Sequence, residues 1–276
     1  MSRRIWLCAD DYGISPGVNR AIRDLIEKGR LNATSVMVVG SAIGRDDVNA
    51  LVASARSNRG CAIGLHVTLT APFRPLTMHF RPLEGGLFLP HPTLFRRGIT
   101  GRLDFELVHT EVTVQIEAFA DLFGRAPDYV DSHQHVHLFP GVRQAFLAAA
   151  KAAAPGAWVR QCGRDRPLTR RLGSPKSLVL DALSAQFRKR AARAGLSFNP
   201  AFAGAYDFSK QTEFGALLGQ FVQGMPEGGV VMCHPGIVDD VLISLDPFTF
   251  QREREYEFLG SEQFMPLLAA NELTLG

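Results

Sequence analysis

The chain has 276 residues, of which 46% are hydrophobic and 21% are charged, and its formal net charge is +3. These proportions are typical of a globular protein, and they exclude a disordered, collagen-like or coiled-coil chain as a description of the whole. Length alone allows one domain or two, because an α/β barrel uses roughly 200–250 residues as a single domain.

The N-terminal sequence does not predict a secreted or membrane-spanning product. The apolar stretch 5–9 is too short for a signal-peptide core and ends at Asp10 and Asp11. No run approaches the ~18–20 apolar residues that cross a bilayer. The four cysteines form no C-x-x-C pair, and three of them lie in or beside apolar runs, which is typical of reduced, buried thiols. We therefore expect a cytoplasmic protein.

Short β-branched runs alternate with longer helical patterns, which predicts a parallel α/β architecture. We find no internal repeat and no low-complexity linker, so we expect one domain over residues 1–276. The predicted strands are 5–9, 35–39, 62–69, 129–132, 158–161 and 229–233, with weaker candidates at 196–202 and 273–275.

The clearest helix is predicted to begin after Asp104, a good N-cap residue. It should end at Gly124, where a left-handed residue is favoured, with Pro127 just beyond. Its apolar stripe comprises Phe105, Val108, Val112, Ile116, Phe119 and Phe123.

Residues 71–103 are rich in Pro, Gly and Phe and show no sustained period. A structureless stretch of this length inside a compact domain is either functional or wrongly assigned. We predict a loop excursion over the open face of the sheet. Its aromatic residues either lie near a ligand or simply pack on the core; the three candidates are Phe73, Phe80 and Phe88.

Basic residues concentrate between Arg160 and Arg193, where ten Lys or Arg accompany only Asp165 and Asp181. The main interpretation is a solvated helical face with a loop, and the alternative is a surface for an anionic partner or a membrane. No nucleic-acid-binding motif accompanies this stretch, so we predict no nucleic-acid partner.

Polar side chains stand at the ends of four predicted strands. Asp10 and Asp11 follow the first strand, and His66, His133 and His234 stand at the ends of three others. In a parallel barrel or open sheet, the carboxyl ends of the strands gather on one face, where active sites are built. The sequence therefore predicts one site made of carboxylates and imidazoles.

This residue set points to a metal-assisted hydrolase. Two adjacent carboxylates after an apolar strand repel one another unless a cation neutralises them, although a turn or a helix cap is the common alternative. His133, His135 and His137 alternate, so on an extended chain they would share one face. Carboxylate and imidazole ligands suit a borderline or hard divalent ion. A carboxylate off the metal could act as general base and a histidine as general acid.

Two further features carry weaker predictions. Gly13-Ile14-Ser15-Pro16-Gly17 matches the G-x-S-x-G pattern of serine hydrolases, but Pro16 lacks the N–H that the oxyanion hole needs, so Ser15 is better explained as a helix N-cap. Arg160 closes the predicted strand 158–161. It could hold a carboxylate or a substrate oxygen, or lie on the surface.

Four segments resemble motifs of the YdjC-like carbohydrate deacetylases, which include chitooligosaccharide deacetylases and deacetylases associated with hopanoid lipids. They occur in the order of that family and extend from residue 9 to residue 236. The segments are Ala9-Asp10-Asp11-Tyr12-Gly13, Gly64-Leu65-His66-Val67-Thr68-Leu69-Thr70, Asp131-Ser132-His133-Gln134-His135-Val136-His137 and Met232-Cys233-His234-Pro235-Gly236.

The resemblance implies a distorted TIM-like (β/α) barrel and removal of an N-acetyl group from an amino sugar, free or attached to a lipid. It implies that Asp11, His66 and His133 bind a divalent ion, Mg²⁺ or Zn²⁺. Asp10 would be the general base that activates water, and His234 the general acid that protonates the departing amine.

The resemblance leaves the remaining positions less defined. His135 and His137 would support the ligands or contact substrate, and Gln134 replaces a histidine that many relatives carry. By analogy the protein would form a homodimer. A second hypothesis is a catalytically silent carbohydrate-binding protein on the same barrel, which would need no general base.

Overall fold

The computed structural model describes residues 2–58, 60–163, 175–208, 212–247 and 249–275. The strands are β1 (Arg3–Arg4), β2 (Trp6–Tyr12), β3 (Ala33–Val36), β4 (Ala62–Val67), β5 (Tyr129–Ser132), β6 (Trp158–Val159), β7 (Phe202–Ala203), β8 (Val230–Cys233) and β9 (Leu273–Thr274). The helices are α1 (Pro16–Glu27), α2 (Arg45–Ser57), α3 (His91–Ile99), α4 (Phe105–Phe123), α5 (Arg143–Ala153), α6 (Pro175–Arg193), α7 (Phe214–Val222), α8 (Asp240–Leu245), α9 (Phe250–Gly260) and α10 (Phe264–Ala270). A short 3₁₀ segment, His133–Leu138, follows β5.

Seven strands form the main sheet in the order β6-β5-β4-β3-β2-β8-β7, while β1 and β9 form a separate two-stranded pair. The parallel α/β architecture is therefore confirmed. The prediction of a TIM-like barrel is wrong in one respect, because a linear order with two edge strands is an open sheet and not a closed barrel. Both edge strands, β6 and β7, have only two residues.

The chain divides into two compact units. The first comprises Met1–Val36, Ser41–Ile63 and Asn199–Gly276, and the second comprises Met37–Gly40 and Gly64–Phe198. No observation tests the prediction of a single domain over residues 1–276, which stays a prediction.

In the first unit, β2 lies between β3 and β8 and is parallel to both. Its apolar residues after Trp6 are buried, which explains why a short run of them forms a central strand. The amide of Asn32 links the start of β2 to the strand beside it, because it accepts from the Leu7 N–H and donates to the Ile5 carbonyl. These contacts hold the first residues of β2.

In the second unit, β5 lies between β4 and β6. The ring of Tyr129 covers Gly64 of β4, where a Cβ atom would come within 2.4 Å of a ring carbon. Only glycine permits this close approach, and it seats β4 against β5 just before His66.

Helix α4 begins and ends as the sequence predicts. The Asp104 carboxylate accepts from the Leu107 N–H at 3.1 Å, and Gly124 takes a left-handed conformation with φ of 67°. The stripe is buried over its central four positions, but Phe105 at its first position is 37% exposed.

The segment 71–103 is not a structureless loop throughout, because α3 occupies its C-terminal third. The predicted aromatic residues are buried: Phe80 and Phe88 pack edge to face, with ring centroids 5.1 Å apart, and Phe73 packs against His133. Core packing therefore accounts for Phe80 and Phe88, while Phe73 lies beside His133, a predicted metal ligand.

Two further segments predicted from the sequence differ in part from the structure. The candidate strand 196–202 is reduced to one isolated bridge from Phe198 to Val159 and to the two-residue β7. The basic stretch 160–193 forms α6 over its C-terminal part, while residues 164–174, with four of its arginines, lie outside the described residues. Over the described ranges, no helix is both long and apolar enough to cross a membrane.

Candidate active site

The carboxyl end of β2 carries a bulge that places both acidic residues. Ala9 pairs with Thr34 and Tyr12 with Val36, so Asp10 and Asp11 together face the single residue Ser35. Asp11 has a φ of 70°, which is costly for a residue other than glycine. Bulges of this kind change the direction of a side chain, and here the change separates the surroundings of two adjacent carboxylates.

Asp10 is almost completely buried, with 1% of its surface exposed. Its Oδ1 atom accepts from the Ser35 hydroxyl at 2.9 Å and from the Cys8 thiol at 3.4 Å. Both donors are neutral. The Asp10 carboxylate is therefore oriented by hydrogen bonds without direct neutralisation by either of these groups.

Asp11 has a different partner. Its Oδ2 atom accepts from Nη2 of Arg252 at 2.6 Å, and the same Nη2 atom lies 2.7 Å from Oδ2 of Asp246. Burial alone would lower the pKa of Arg252, but the two carboxylates outweigh it and raise that pKa above its usual range. Arg252 therefore keeps its charge and shares it between Asp11 and Asp246.

His234 follows β8, and the residues before it and before Asp10, Cys233 and Ala9, are register partners in neighbouring strands. The structure thus brings two predicted catalytic residues to adjacent strand ends. The His234 imidazole is half-buried, and the ring of Phe208 meets it edge to face, with centroids 5.0 Å apart.

A buried carboxyl group supports His234. Glu255 accepts a hydrogen bond from the backbone N–H of His234 and another from the Tyr206 hydroxyl at 2.5 Å. Burial raises the pKa of Glu255 to about 7, although both hydrogen bonds favour its ionised form. Burial, together with the charge of Glu255, also raises the pKa of Tyr206, which stays a donor.

In the second unit, His66 and Asp131 are register partners on β4 and β5. The Nδ1 atom of His66 lies 2.6 Å from Oδ1 of Asp131, and Nη1 of Arg160 lies 3.0 Å from Oδ2 of the same carboxylate. All three side chains are buried. A carboxylate only accepts, so Nδ1 carries a proton, and in the neutral imidazole Nε2 then has the lone pair that a metal ion requires.

The run of three alternating histidines is not extended, and the prediction that they share the face of a strand is wrong. They lie in the 3₁₀ segment, in which Gln134 and His135 have φ of 55° and 56°. The His133 ring meets the rings of His66 and Phe73 edge to face, with centroid distances of 5.7 Å and 5.8 Å. Two predicted metal ligands, His66 and His133, are thus neighbours.

His137 and His135 differ in exposure. His137 is fully buried: the Ser132 hydroxyl lies 2.6 Å from its Nδ1 atom, and its Nε2 atom lies 2.8 Å from the Arg160 carbonyl oxygen. His135 is half-buried, and its Nδ1 atom lies 3.6 Å from the Cys162 thiol. Burial of His137 and Arg160 favours a supporting role for both over direct contact with a substrate.

Ser15 caps α1, since its hydroxyl accepts from the Val18 N–H at 3.2 Å and Pro16 occupies the first helical position. Its side chain is fully buried. The structure accounts for the G-x-S-x-G pattern as a helix start.

Among the described residues, Asp11, His66 and His133 make up one group of side chains that could hold a metal ion, each offering one ligand atom. One carboxylate and two imidazoles suit Zn²⁺ or a harder divalent ion. The tautomer of His66 fits such a role, because metal-binding histidines generally donate their other ring N–H to a carboxylate or a carbonyl.

Sequence reasoning assigned no role to Asp131, Arg252 or Glu255. The sequence could have identified Asp131, because this residue stands in the same motif as His133 and follows an apolar strand. No local signal identifies Arg252 and Glu255, which lie in the charged run Gln251-Arg252-Glu253-Arg254-Glu255 and resemble a solvated helix face.

Comparisons with known proteins extend over the whole chain. The model of the YdjC-like protein family matches residues 4–270. The chitooligosaccharide deacetylase of Citrobacter koseri is 29% identical over 286 residues, covering 100% of this chain and 98% of that protein.

Two solved structures are similar along their full length. A protein of Enterococcus faecalis, provisionally named a cellobiose-phosphate cleavage protein, has a TM-score of 0.75 at 22% identity and covers 100% of this chain and 97% of its own. The lactam utilization protein of Thermus thermophilus has a TM-score of 0.51 at 16% identity, with coverage of 99% and 98%. At these identities the likeness shows the fold alone.

Proposed function

The chain belongs to the YdjC-like protein family, and on that premise we propose that it is a hydrolase that removes the N-acetyl group from an N-acetylated amino sugar and releases acetate. The family match confirms the resemblance that four short motifs predicted. A full-length relative named chitooligosaccharide deacetylase supports an N-acetylated sugar as the substrate class, and a sugar carried on a lipid stays a prediction from the sequence.

The observation that carries the proposal is the contrast between the two adjacent carboxylates. The bulge gives them different partners: the Asp11 carboxylate accepts from Arg252, and the Asp10 carboxylate accepts from the Ser35 hydroxyl and the Cys8 thiol. Two carboxylates in different surroundings can take two roles. We assign Asp11 to a metal ion and Asp10 to proton transfer.

His66 and His133 would complete the ligand set of Asp11, with Mg²⁺ or Zn²⁺ as the ion. When bound, such an ion would polarise the acetyl carbonyl and acidify its bound water, whose pKa falls to roughly 7 on Zn²⁺. Asp131 holds His66 in the tautomer that binds through Nε2, and Arg160 holds Asp131 in turn. These two residues position a ligand and do not touch the substrate.

Residues of the first unit carry out the proton transfers. Asp10 takes a proton from the attacking water, and His234 gives a proton to the nitrogen of the departing amino sugar. Glu255 fixes the backbone of His234 through its N–H. Phe208 limits the rotation of the imidazole by edge-to-face contact.

His135 is our candidate for contact with the substrate, because it is the half-buried member of the histidine run beyond the ligand His133. His137 supports the same segment from inside the fold through Ser132 and the Arg160 carbonyl. A cytoplasmic location and a homodimer, both expected from the sequence, stay predictions.

The decisive experiment combines metal content with product release. Purified protein is assayed for bound metal and for acetate release from N-acetylglucosamine oligomers after loading with Mg²⁺ or Zn²⁺. We expect one divalent ion per chain and release of acetate, both lost in a His66→Ala/His133→Ala variant and both retained in His109→Ala, a histidine outside the proposed site. Sugar binding without acetate release would favour the silent carbohydrate-binding protein instead.

A further inference from the structure

Helix α9 carries two buried polar residues one helical turn apart. Arg252 is 3% exposed and Glu255 is fully buried, so both belong to the inward face of the helix. Arg252 bonds to the carboxylate of Asp11 at the end of β2, and Glu255 bonds to the backbone of His234 at the end of β8. One helix thus contacts the ends of two neighbouring strands.

We propose that α9 is the positioning element of this active site: Arg252 orients the carboxylate of Asp11, and Glu255 sets the place of the His234 imidazole. The inference rests on the proposed function, which supplies the roles of Asp11 and His234. It adds two positioning residues to that function.

Two carboxylates, those of Asp11 and Asp246, hold the Arg252 guanidinium in place. Its Nε and Nη2 atoms lie 3.1 Å and 2.7 Å from Oδ2 of Asp246, and Nη2 also donates to Oδ2 of Asp11. A guanidinium held by two carboxylates cannot rotate without breaking one of the ion pairs. With its Oδ2 atom on Arg252, the Asp11 carboxylate is held in one orientation.

Glu255 holds the backbone at the point where the chain leaves β8. The chain leaves β8 at Cys233, so the N–H of His234 is the first backbone donor beyond the strand. Glu255 accepts that N–H, and the Tyr206 hydroxyl holds Glu255 in turn. Phe208 contacts the imidazole and Tyr206 stacks on Phe208, with ring centroids 4.2 Å apart. The backbone and the ring of His234 are thus tied to the same small network.

The test for Arg252 measures metal affinity directly, by calorimetric titration of Mg²⁺ and of Zn²⁺ into chelator-treated protein. Arg252→Met should weaken binding about tenfold or more, as removal of a group that holds a metal ligand generally does. Arg252→Lys should restore part of the loss. Asp246→Asn weakens one of the two ion pairs that hold Arg252 and leaves Asp11 unchanged. Its metal affinity should lie between those of the wild type and Arg252→Met.

Arg254→Met is the matched control on the same helix, because the Arg254 guanidinium lies over the ring of Phe250, 4.1 Å from its centroid, and away from Asp11. It should bind metal as the wild type does. Equal or tighter binding by Arg252→Met would overturn the role of Arg252 while the proposed function stands. A wild type that binds neither ion and releases no acetate would overturn both.

The test for Glu255 separates kcat from KM. Glu255→Ala removes the acceptor of the His234 N–H, so kcat should fall about tenfold or more with little change in KM, as expected when a proton donor is misplaced. Glu255→Gln keeps an acceptor oxygen and should retain most of the kcat. Equal loss in both variants, or a change confined to KM, would overturn this part of the proposal. Thermal unfolding of each variant distinguishes misplacement from loss of the fold.

Discussion

The Nδ1 atom of His66 lies 2.6 Å from Oδ1 of Asp131, and both side chains are buried. Because β4 and β5 are parallel and these residues are register partners, the contact follows from strand pairing and needs no loop to bring it about. The contact determines the tautomer of His66 and, through it, which ring nitrogen can bind an ion.

Asp131→Asn should therefore weaken metal binding by about tenfold to a hundredfold, because an amide fixes the His66 tautomer less firmly than a carboxylate does. Calorimetric titration of Zn²⁺ or Mg²⁺ measures the change. Asp128→Asn serves as the control, since Asp128 pairs with Arg125 at the exposed end of the preceding loop. If Asp131→Asn bound metal as tightly as Asp128→Asn, Asp131 would have no role in holding His66.

The same substitution should also destabilise the fold, because it removes the carboxylate that forms an ion pair with the fully buried Arg160. Removing one partner of a buried ion pair costs about 3–5 kcal/mol. Urea denaturation of metal-free protein gives the free energy of unfolding. A double variant, Asp131→Asn/Arg160→Met, should recover much of the loss, and a double variant no more stable than Asp131→Asn would contradict the coupling.

Asp10→Asn should lower kcat by about 10²–10⁴ with metal affinity unchanged, because it removes the general base and leaves the ligands intact. Steady-state acetate release and metal titration together check this prediction. Intact acetate release in Asp10→Asn would remove the assignment of Asp10 as the base. A loss of metal binding in Asp10→Asn would show instead that Asp10 is a metal ligand.

Ser15→Ala separates a serine hydrolase from a metal-dependent one. The Ser15 hydroxyl caps α1, so its loss should cost about 1 kcal/mol of stability and leave acetate release unchanged in folded protein. Chelator treatment should abolish acetate release in the wild type and in Ser15→Ala alike. The reverse pattern, in which Ser15→Ala is inactive and chelators have no effect, would identify Ser15 as a nucleophile.

Gln134 occupies a left-handed backbone conformation, with φ of 55°, and its side chain is exposed. Gln134→Gly should stabilise the protein by about 0.5–1 kcal/mol, since the relief of strain exceeds the added entropy of the unfolded chain. Gln134→Val should destabilise it, because a β-branched residue tolerates this region poorly. Because residue 134 is exposed, we expect backbone preference to decide the difference between the two variants, and equal free energies of unfolding would contradict the argument.

Glu255 should make stability depend on pH between about 4.5 and 7. Burial raises its pKa in the folded protein from 4.5 to about 7. The folded state therefore holds a proton that the unfolded state releases, so stabilisation by this group is complete below pH 4.5 and is lost as the pH rises to about 7, by roughly 3 kcal/mol. The free energy of unfolding is measured for metal-free wild type and Glu255→Gln between pH 4.5 and 7.5. It should decline less with rising pH in the variant than in the wild type. Parallel curves would contradict the prediction.

Local patterns were sufficient for most of the elements. Helix α4 begins at Asp104 and ends at Gly124 as predicted, because capping and handedness depend on a few adjacent residues. The strand at Tyr129–Ser132 was also predicted at its observed bounds. Closure of the sheet was not predictable in the same way, since it depends on the length of edge strands such as β6, which pairing partners determine.

By itself, the sequence determined the parallel α/β class, the family and the residues that stand at the strand ends, because an apolar run followed by Asp10, Asp11 or His234 is a local pattern. Only the tertiary structure decided what holds those residues. Arg252 reaches Asp11 across 241 positions of sequence, and the bulge at Asp10 and Asp11 arises from pairing with β3. The physical reason is that a charge inside a protein is stabilised by whichever partner the fold brings within hydrogen-bond distance, and no spacing along the chain records that partner.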